Sequence, residues 1–306
     1  MTSKSMGMSR SDINIVWLDV NLDKWEQDWL LYLLENQYDK FFVTNRFNDL
    51  PVDKPTVVVA NHAINYRRYL DELKQNNKKY GVVLLSDENL YERMEYLHDP
   101  NCVFVARNYF NPEYLKHPKV FTFGLGYKKN FIAKKDSPTF NERGLVWSFA
   151  GSFHDDFRKN AVQKFKHLEP NKTHSVSGFN AADGLGTEEY VAMLEDSKFA
   201  LCPRGQVNND CFRLYEALEA GSIPVALSFA EHMQVRPSYW HAVFYGESNM
   251  PFIVADSWEE AAEKVKGIIE QNRGQEVQAQ CQEFWTRWKL NWKAMFEDKI
   301  KFLKSV

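Results

Sequence analysis

The sequence predicts an α/β protein of two Rossmann-like domains, on three observations. Short β-rich apolar runs alternate with helical stretches from residue 13 onward. The alternation pauses at a charged, polar stretch, 128–143, and then restarts. The chain has 306 residues, more than the roughly 250 to 300 that one hydrophobic core usually holds.

Residues 1–12 are polar, rich in Ser and Met, and lack the apolar core of a signal peptide, so they are expected to form a flexible N-terminus. A first domain is expected over 13–127. Its strands are Ile13 to Leu18, Thr56 to Ala60, Gly81 to Leu85, Cys102 to Val105 and Val120 to Phe123, with helices over 23–35, 66–76 and 89–97 between them. In a parallel sheet, ligands gather outside the carboxyl ends of the strands. Asp19, Asn61, His62, Asp87, Glu88, Arg107 and Gly124 to Tyr127 follow such ends and are the residues to inspect. Taken singly, Asp87 would serve equally well as the N-cap of the next helix and Arg107 as a structural ion-pair donor.

The stretch 128–143, with Lys134, Lys135, Asp136 and Pro138, reads as an interdomain linker. A second domain is expected over 144–272. It begins with a strand, Leu145 to Ala150, a Gly151-Ser152 turn and a helix from Asp155 to Lys166. Strands follow at His174 to Ser177 and Phe252 to Ala255, on either side of a unit at 198–228. In residues 273–306, Phe284, Trp285, Trp288, Trp292, Met295, Phe296, Ile300 and Leu303 fall on one helical stripe. Burial against the protein is the favoured reading of the stripe, and a helix lying on a membrane surface is the rival.

The unit at 198–228 carries the most chemistry. An apolar run, Phe199 to Cys202, stops at Pro203; a polar turn, Gly205 to Asp210, leads into a helix that Gly221 ends before the strand Ile223 to Leu227. Phe212, Tyr215 and Leu218 recur at three-residue spacing and can pack on a sheet, while Arg213 and Glu216 share another face near the helix N-terminus. Free N–H groups there suit a phosphate, Arg204 and Arg213 can neutralise it, and Glu216 can accept from ribose hydroxyls. An ordinary βαβ crossover with a surface Arg–Glu pair fits the same pattern. Small residues at Gly151 and Ser152, with Arg158 on the next helix, could let the backbone approach a phosphate, or form a plain strand-to-helix turn. His154-Asp155-Asp156 reads as charge at a helix N-terminus rather than a metal cluster, because adjacent residues point apart.

Composition narrows the classes. The chain is 44% hydrophobic and 26% charged, with a net charge of −3, which supplies no general field for nucleic acid or anionic lipid. Four cysteines without CxxC spacing, Cys102, Cys202, Cys211 and Cys281, read as buried free thiols in a reducing compartment. No apolar run approaches the roughly 20 residues of a membrane span.

Pro203, Arg204, Gly205, Arg213, Glu216, Ala217, Leu218, Gly221, Ile223, Pro224 and Val225 resemble the signature of the exostosin-type glycosyltransferase family, a small single-module member in particular. Cys211 departs from the usual Ser of that signature, and the loop before Arg213 is about one residue longer. Ser86-Asp87-Glu88, Arg107-Asn108-Tyr109 and Gly124-Leu125-Gly126-Tyr127 resemble further family motifs in the same order. The resemblance implies a GT-B-type fold, in which the two Rossmann-like domains face a cleft and the final helix returns to the first domain. It implies transfer of a sugar from a nucleotide-diphosphate sugar, a UDP-sugar such as UDP-xylose, to a glycan acceptor with inversion. Gly151, Ser152, Arg158, Arg204, Gly205, Asn209, Asp210, Arg213 and Glu216 would bind the donor. Glu88 or Asp87 would be the catalytic base, with His62 and Asp19 in reserve.

No Asp-x-Asp and no phosphate loop of the Walker type occurs, so no metal and no cofactor beyond the nucleotide-sugar co-substrate is expected. No nucleic-acid partner and no membrane association is expected. Without an anchor, a cytoplasmic bacterial or viral member, or a form trimmed of its anchor, is the expectation. Two other classes fit less: a sugar- or nucleotide-binding module without turnover, and a nicotinamide-dependent oxidoreductase, which lacks its GxGxxG here.

Overall fold

The structure is a computed structural model that describes residues 12–18, 25–35, 37, 41–44, 46, 50–61, 66–134, 136–178, 181–229 and 238–306. Asp19, His62 and the expected flexible tail at 1–11 lie outside the described residues. The chain forms two compact units, one of residues 1–123 with 290–306 and one of residues 124–289.

The first unit is built on a six-stranded parallel sheet. Its strands are β1 (Asn14–Leu18), β2 (Phe41–Thr44), β3 (Thr56–Asn61), β4 (Tyr80–Leu85), β5 (Cys102–Arg107) and β6 (Val120–Thr122), in the order β2-β1-β3-β4-β5-β6. Strands buried on both faces must be apolar throughout, which is why β1, β3 and β4 read as near-continuous apolar runs. Alternate residues serve opposite faces. Val16, Leu18, Val58, Ala60, Val82 and Leu84 share one cluster with Tyr69, Leu70 and Leu73 of α2 (Arg67–Gln75). Another helix, α1 (Gln27–Leu33), buries Trp29, Leu30 and Leu33.

The helix expected over 89–97 is absent. Asp87 accepts from the backbone N–H groups of Tyr91 and Glu92, Leu90 takes a φ of +58°, and only a 3-10 turn at Glu95–His98 follows. A positive φ at a Leu interrupts any helix through it. The strand β2 carried no expectation, being four residues long with a polar C-terminal side.

The second unit holds a five-stranded parallel sheet of order β11-β10-β9-β7-β8, formed by β7 (Leu145–Ser152), β8 (Asn171–Val176), β9 (Ser197–Leu201), β10 (Ile223–Leu227) and β11 (Ile253–Ala255). Its helices include α3 (Asp156–Phe165), α4 (Thr187–Glu195), α5 (Phe212–Glu219), α6 (Tyr239–Val243) and α7 (Trp258–Glu270). Trp258 sits edge-on to Phe157 and Phe165 and joins α7 to α3. Gly221, at φ +71°, closes α5: Ser222 N–H bonds back to Ala217 and Gly221 N–H to Leu218.

Residues 128–143, read as a linker from their charge, are packed into the second unit. Phe131 is buried against Tyr127 and Tyr190, the Lys134 N–H bonds to Glu195 at 2.7 Å, and Phe140 lies edge-on to Phe199. Arg143 spends its guanidinium on the carbonyls of Pro138, Leu194, Ser197 and Ala220. Arg143 is therefore an internal anchor, a use that composition does not distinguish from solvation.

One long helix, α8 (Gly274–Ser305), contributes residues 274–289 to the second unit and 290–305 to the first. Trp285 packs on Tyr215, and Phe284 and Trp288 on Phe244. Further along, Trp292 meets Trp29, and Phe296 meets Phe121 and Phe123. All four cysteines are buried free thiols, and no helix among the described residues is long and apolar enough to cross a membrane.

Candidate functional site

Three arginines converge on two turns of the second unit. At the C-terminal end of β7, Arg158 of α3 donates through Nη1 to the Ser152 carbonyl and hydroxyl, both at 3.1 Å. Its Nη2 donates to the carbonyls of Arg204 and Gly205, at 3.0 and 3.1 Å. Arg158 thus ties the Gly151-Ser152 turn to the Pro203-Arg204-Gly205 turn, and it is only 6% exposed. Arg204 meets Asp155 at 2.9 Å and lies over Phe157. Arg213, in the first turn of α5, donates to the Pro203 carbonyl at 3.1 Å and lies over Phe149.

Gly151 makes that arrangement possible. A Cβ there would stand 3.2 Å from Arg213 Nη1 and 3.1 Å from the Phe149 ring, so any side chain would crowd the guanidinium. Asp155 also accepts from the Arg158 N–H at 3.1 Å and so caps α3, as expected for charge at a helix N-terminus.

The charge is unbalanced. Burial, with Arg213 and Arg204 nearby, pushes the Arg158 guanidinium down to about 10. The buried Nε atoms of Arg158, Arg204 and Arg213 have no hydrogen-bond partner. Asp155 pairs with Arg204, and Glu216 acts on Arg213, so the three guanidinium groups are only partly matched by carboxylate, and packing like charges together costs free energy that an anion could return.

Other residues expected at the phosphate face inward. Asn209 is 4% exposed and donates to the Leu227 carbonyl at 3.2 Å, pinning the loop to β10. Asp210 is fully buried beside the Tyr215 hydroxyl, and its N–H bonds to the Asn208 side chain. These two are corrected from ligand contacts to loop anchors; the polar loop must satisfy its own backbone where it enters the core. Gly205 takes part through its carbonyl, on Arg158, and its N–H bonds to Asn208.

Glu216 is also corrected. It is 3% exposed, with Oε1 accepting from the Lys128 N–H at 3.3 Å and Oε2 from the Tyr190 hydroxyl at 3.1 Å. Burial raises its pKa, against those two hydrogen bonds. Its carboxylate fastens α5 to residue 128 and to α4, one helix turn from Arg213.

In the first unit, Asp87 is fully buried and paired with Arg107 at 3.0 Å, each side chain 1% exposed. The Asp87 carboxylate faces Arg107 and the N–H groups of Tyr91 and Glu92, and in this arrangement it serves as a structural anchor. The Ser86 hydroxyl donates to Glu26 at 2.8 Å, and its N–H to Asn108. Glu88 is half-buried at the end of β4 and keeps an approachable position. Two residues here escaped the sequence reading: Tyr190, distant from Glu216 in the chain, and Glu26, distant from Ser86. No local pattern marks either contact.

Comparison with known proteins sets this geometry in a family. The model of the RXYLT1 C-terminal domain matches residues 131–305. Ribitol-5-phosphate xylosyltransferase 1 of Homo sapiens is 26% identical over 243 residues, covering 72% of this chain and 54% of that protein. The Mus musculus protein of the same name is 28% identical over 171 residues, 53% of this chain and 37% of that protein. The chain thus spans about half or less of the length of these curated relatives. Among solved structures, an alpha1,3-fucosyltransferase has a TM-score of 0.50 at 13% identity, covering 90% of this chain and 84% of its own. An O-GlcNAc transferase of Thermobaculum terrenum has a TM-score of 0.50 at 11% identity, covering 96% and 68%. At such identities the likeness is one of fold, and with two parallel α/β units that fold is GT-B. Since the family match covers more than half of the 306 residues, including the whole arginine cluster, the chain belongs to the RXYLT1 C-terminal domain family.

Proposed function

We propose that the protein is a glycosyltransferase that moves a sugar from a UDP-sugar, UDP-xylose first among them, to a glycan acceptor with inversion and without a metal. The observation that carries this reading is the arginine cluster around Gly151-Ser152 and Pro203-Arg204-Gly205, a cationic cradle suited to the diphosphate of a departing nucleotide. The exostosin-type likeness of residues 203–225 lies within the family match and supports the same chemistry. Relatives named as ribitol-5-phosphate xylosyltransferases support xylose as the sugar and an acceptor carrying ribitol phosphate.

In this reading, positive charge at Arg204 and Arg213 stabilises the diphosphate as the bond to the sugar breaks. Arg158 holds both turns in place, and Glu216 holds α5. Glu88 accepts the proton of the attacking hydroxyl. The opening experiment is a thermal-shift panel of nucleotides and nucleotide sugars, since a ligand at 100 times its Kd adds about 2.7 kcal/mol. Stabilisation by UDP and UDP-xylose, followed by xylose transfer to a ribitol phosphate acceptor, is the expected result. Donor binding without transfer or hydrolysis would favour a non-catalytic module, and the absence of any nucleotide effect would overturn the reading.

A further inference from the structure

His154 follows the Gly151-Ser152 turn, with its Nδ1 3.0 Å from the Ser152 hydroxyl and its Nε2 3.5 Å from Asp155 Oδ2. Its side chain is 37% exposed, so a ligand can reach it. The charged groups that act on it come from three elements. Asp155 caps α3 and Arg158 lies on it, Arg204 is in the turn after β9, and Arg213 is on α5. Burial and these arginines lower its pKa, and Asp155 alone among them raises it. The second indication of a ligand is Arg158, 6% exposed, with its Nε unpartnered and all its other contacts directed to the two turns.

We propose that His154 is a further diphosphate-binding residue and that arrival of the diphosphate is coupled to proton uptake on its imidazole. The inference rests on the nucleotide site proposed above and deepens it. Burial, with three guanidinium groups nearby, disfavours the protonated ring in the free protein. A diphosphate bearing two or three negative charges offsets those cations and makes the local field more favourable to a proton on the ring. The ring then takes one proton from water onto the nitrogen that was bare. As a cation it adds positive charge beside the leaving group, which accumulates negative charge as the glycosidic bond breaks. When the nucleotide departs, the proton returns to solvent, so no bond other than N–H changes. The Ser152 hydroxyl sets the ring's orientation, because it bonds the imidazole on one side and Arg158 on the other.

The test is calorimetric titration of UDP, and separately of inorganic pyrophosphate, in two buffers of different ionisation enthalpy at pH 7. Comparison of wild-type protein with His154→Gln removes the ligand's own phosphate ionisation, which is common to both. The wild type is expected to take up a measurable fraction of a proton more than the variant. Its affinity is also expected to strengthen relative to that of the variant as pH falls from 8 toward 6. Where His154→Gln does not fold, the imidazole nitrogen resonances of the wild type decide, moving toward the protonated form when UDP is added. Equal proton counts in the two proteins, or unmoved resonances, overturn the role of His154 and leave the nucleotide site standing. Failure of both UDP and pyrophosphate to bind the wild type overturns the nucleotide site and this inference with it.

Discussion

Replacing Arg107 by Ala would strand the Asp87 carboxylate in the core, where each side chain of the pair is 1% exposed. Breaking a buried pair from one side typically costs about 3–5 kcal/mol, so Arg107→Ala is expected to show a large loss of chemical-denaturation midpoint. The neighbour behaves differently. Glu88→Gln is expected to keep stability and donor affinity while turnover falls about a hundredfold, and Asp87→Asn to lose stability first. Wild-type transfer rates in Glu88→Gln would remove Glu88 as the base. Arg213→Ala should weaken UDP binding by about 1.5–3 kcal/mol, the worth of a charged hydrogen bond; calorimetry showing unchanged affinity would take Arg213 out of the site.

Glu216 supplies a pH dependence at the same scale. Its pKa is raised in the folded protein, so the native state binds the proton more tightly than the unfolded chain does. Stability from this group is therefore greatest below the ordinary carboxylate range and declines as pH rises through the folded-state value. Thermal melts of wild type against Glu216→Gln should show the wild type losing ground over that rise. A difference that is constant with pH would contradict it.

Among the elements, α8 concentrates the apolar surface. Trp292, Phe296, Ile300 and Leu303 are each 0% exposed, and burial of such side chains contributes about 1.5–3 kcal/mol apiece. Phe296→Ala, which also removes the edge contacts to Phe121 and Phe123, is expected to cost about 3–5 kcal/mol in a denaturant melt. Deletion of residues 284–306 is expected to give insoluble or unfolded protein. A truncated protein that stays soluble and equally stable, but no longer binds liposomes, would instead support the membrane-surface reading of the stripe. The aromatic spacing made this helix legible, whereas α4 and α7, which lack such an aromatic stripe, were not anticipated.

For the whole molecule, the arginine cluster bears on the metal requirement. On the proposal that the arginine cluster carries the charge of the diphosphate, turnover is expected to survive EDTA. Activity abolished by chelation and restored by manganese would place the leaving-group charge on an ion instead.

The amino-acid pattern alone determined the two parallel sheets, since strands buried on both faces need unbroken apolar runs, and runs such as Thr56 to Ala60 and Ile223 to Leu227 have no other comfortable place. It also determined the Pro203-Arg204-Gly205 turn and its arginines, because Gly, Pro and Arg at fixed offsets act through local backbone geometry. Tertiary structure decided what those polar residues face. Asp87, Asn209, Asp210 and Glu216 have the same composition as ligand-binding residues, yet each meets a partner brought from elsewhere in the fold: Arg107, the Leu227 carbonyl, Tyr215 and Tyr190. A carboxylate's direction depends on long-range packing, and spacing along the chain does not encode it.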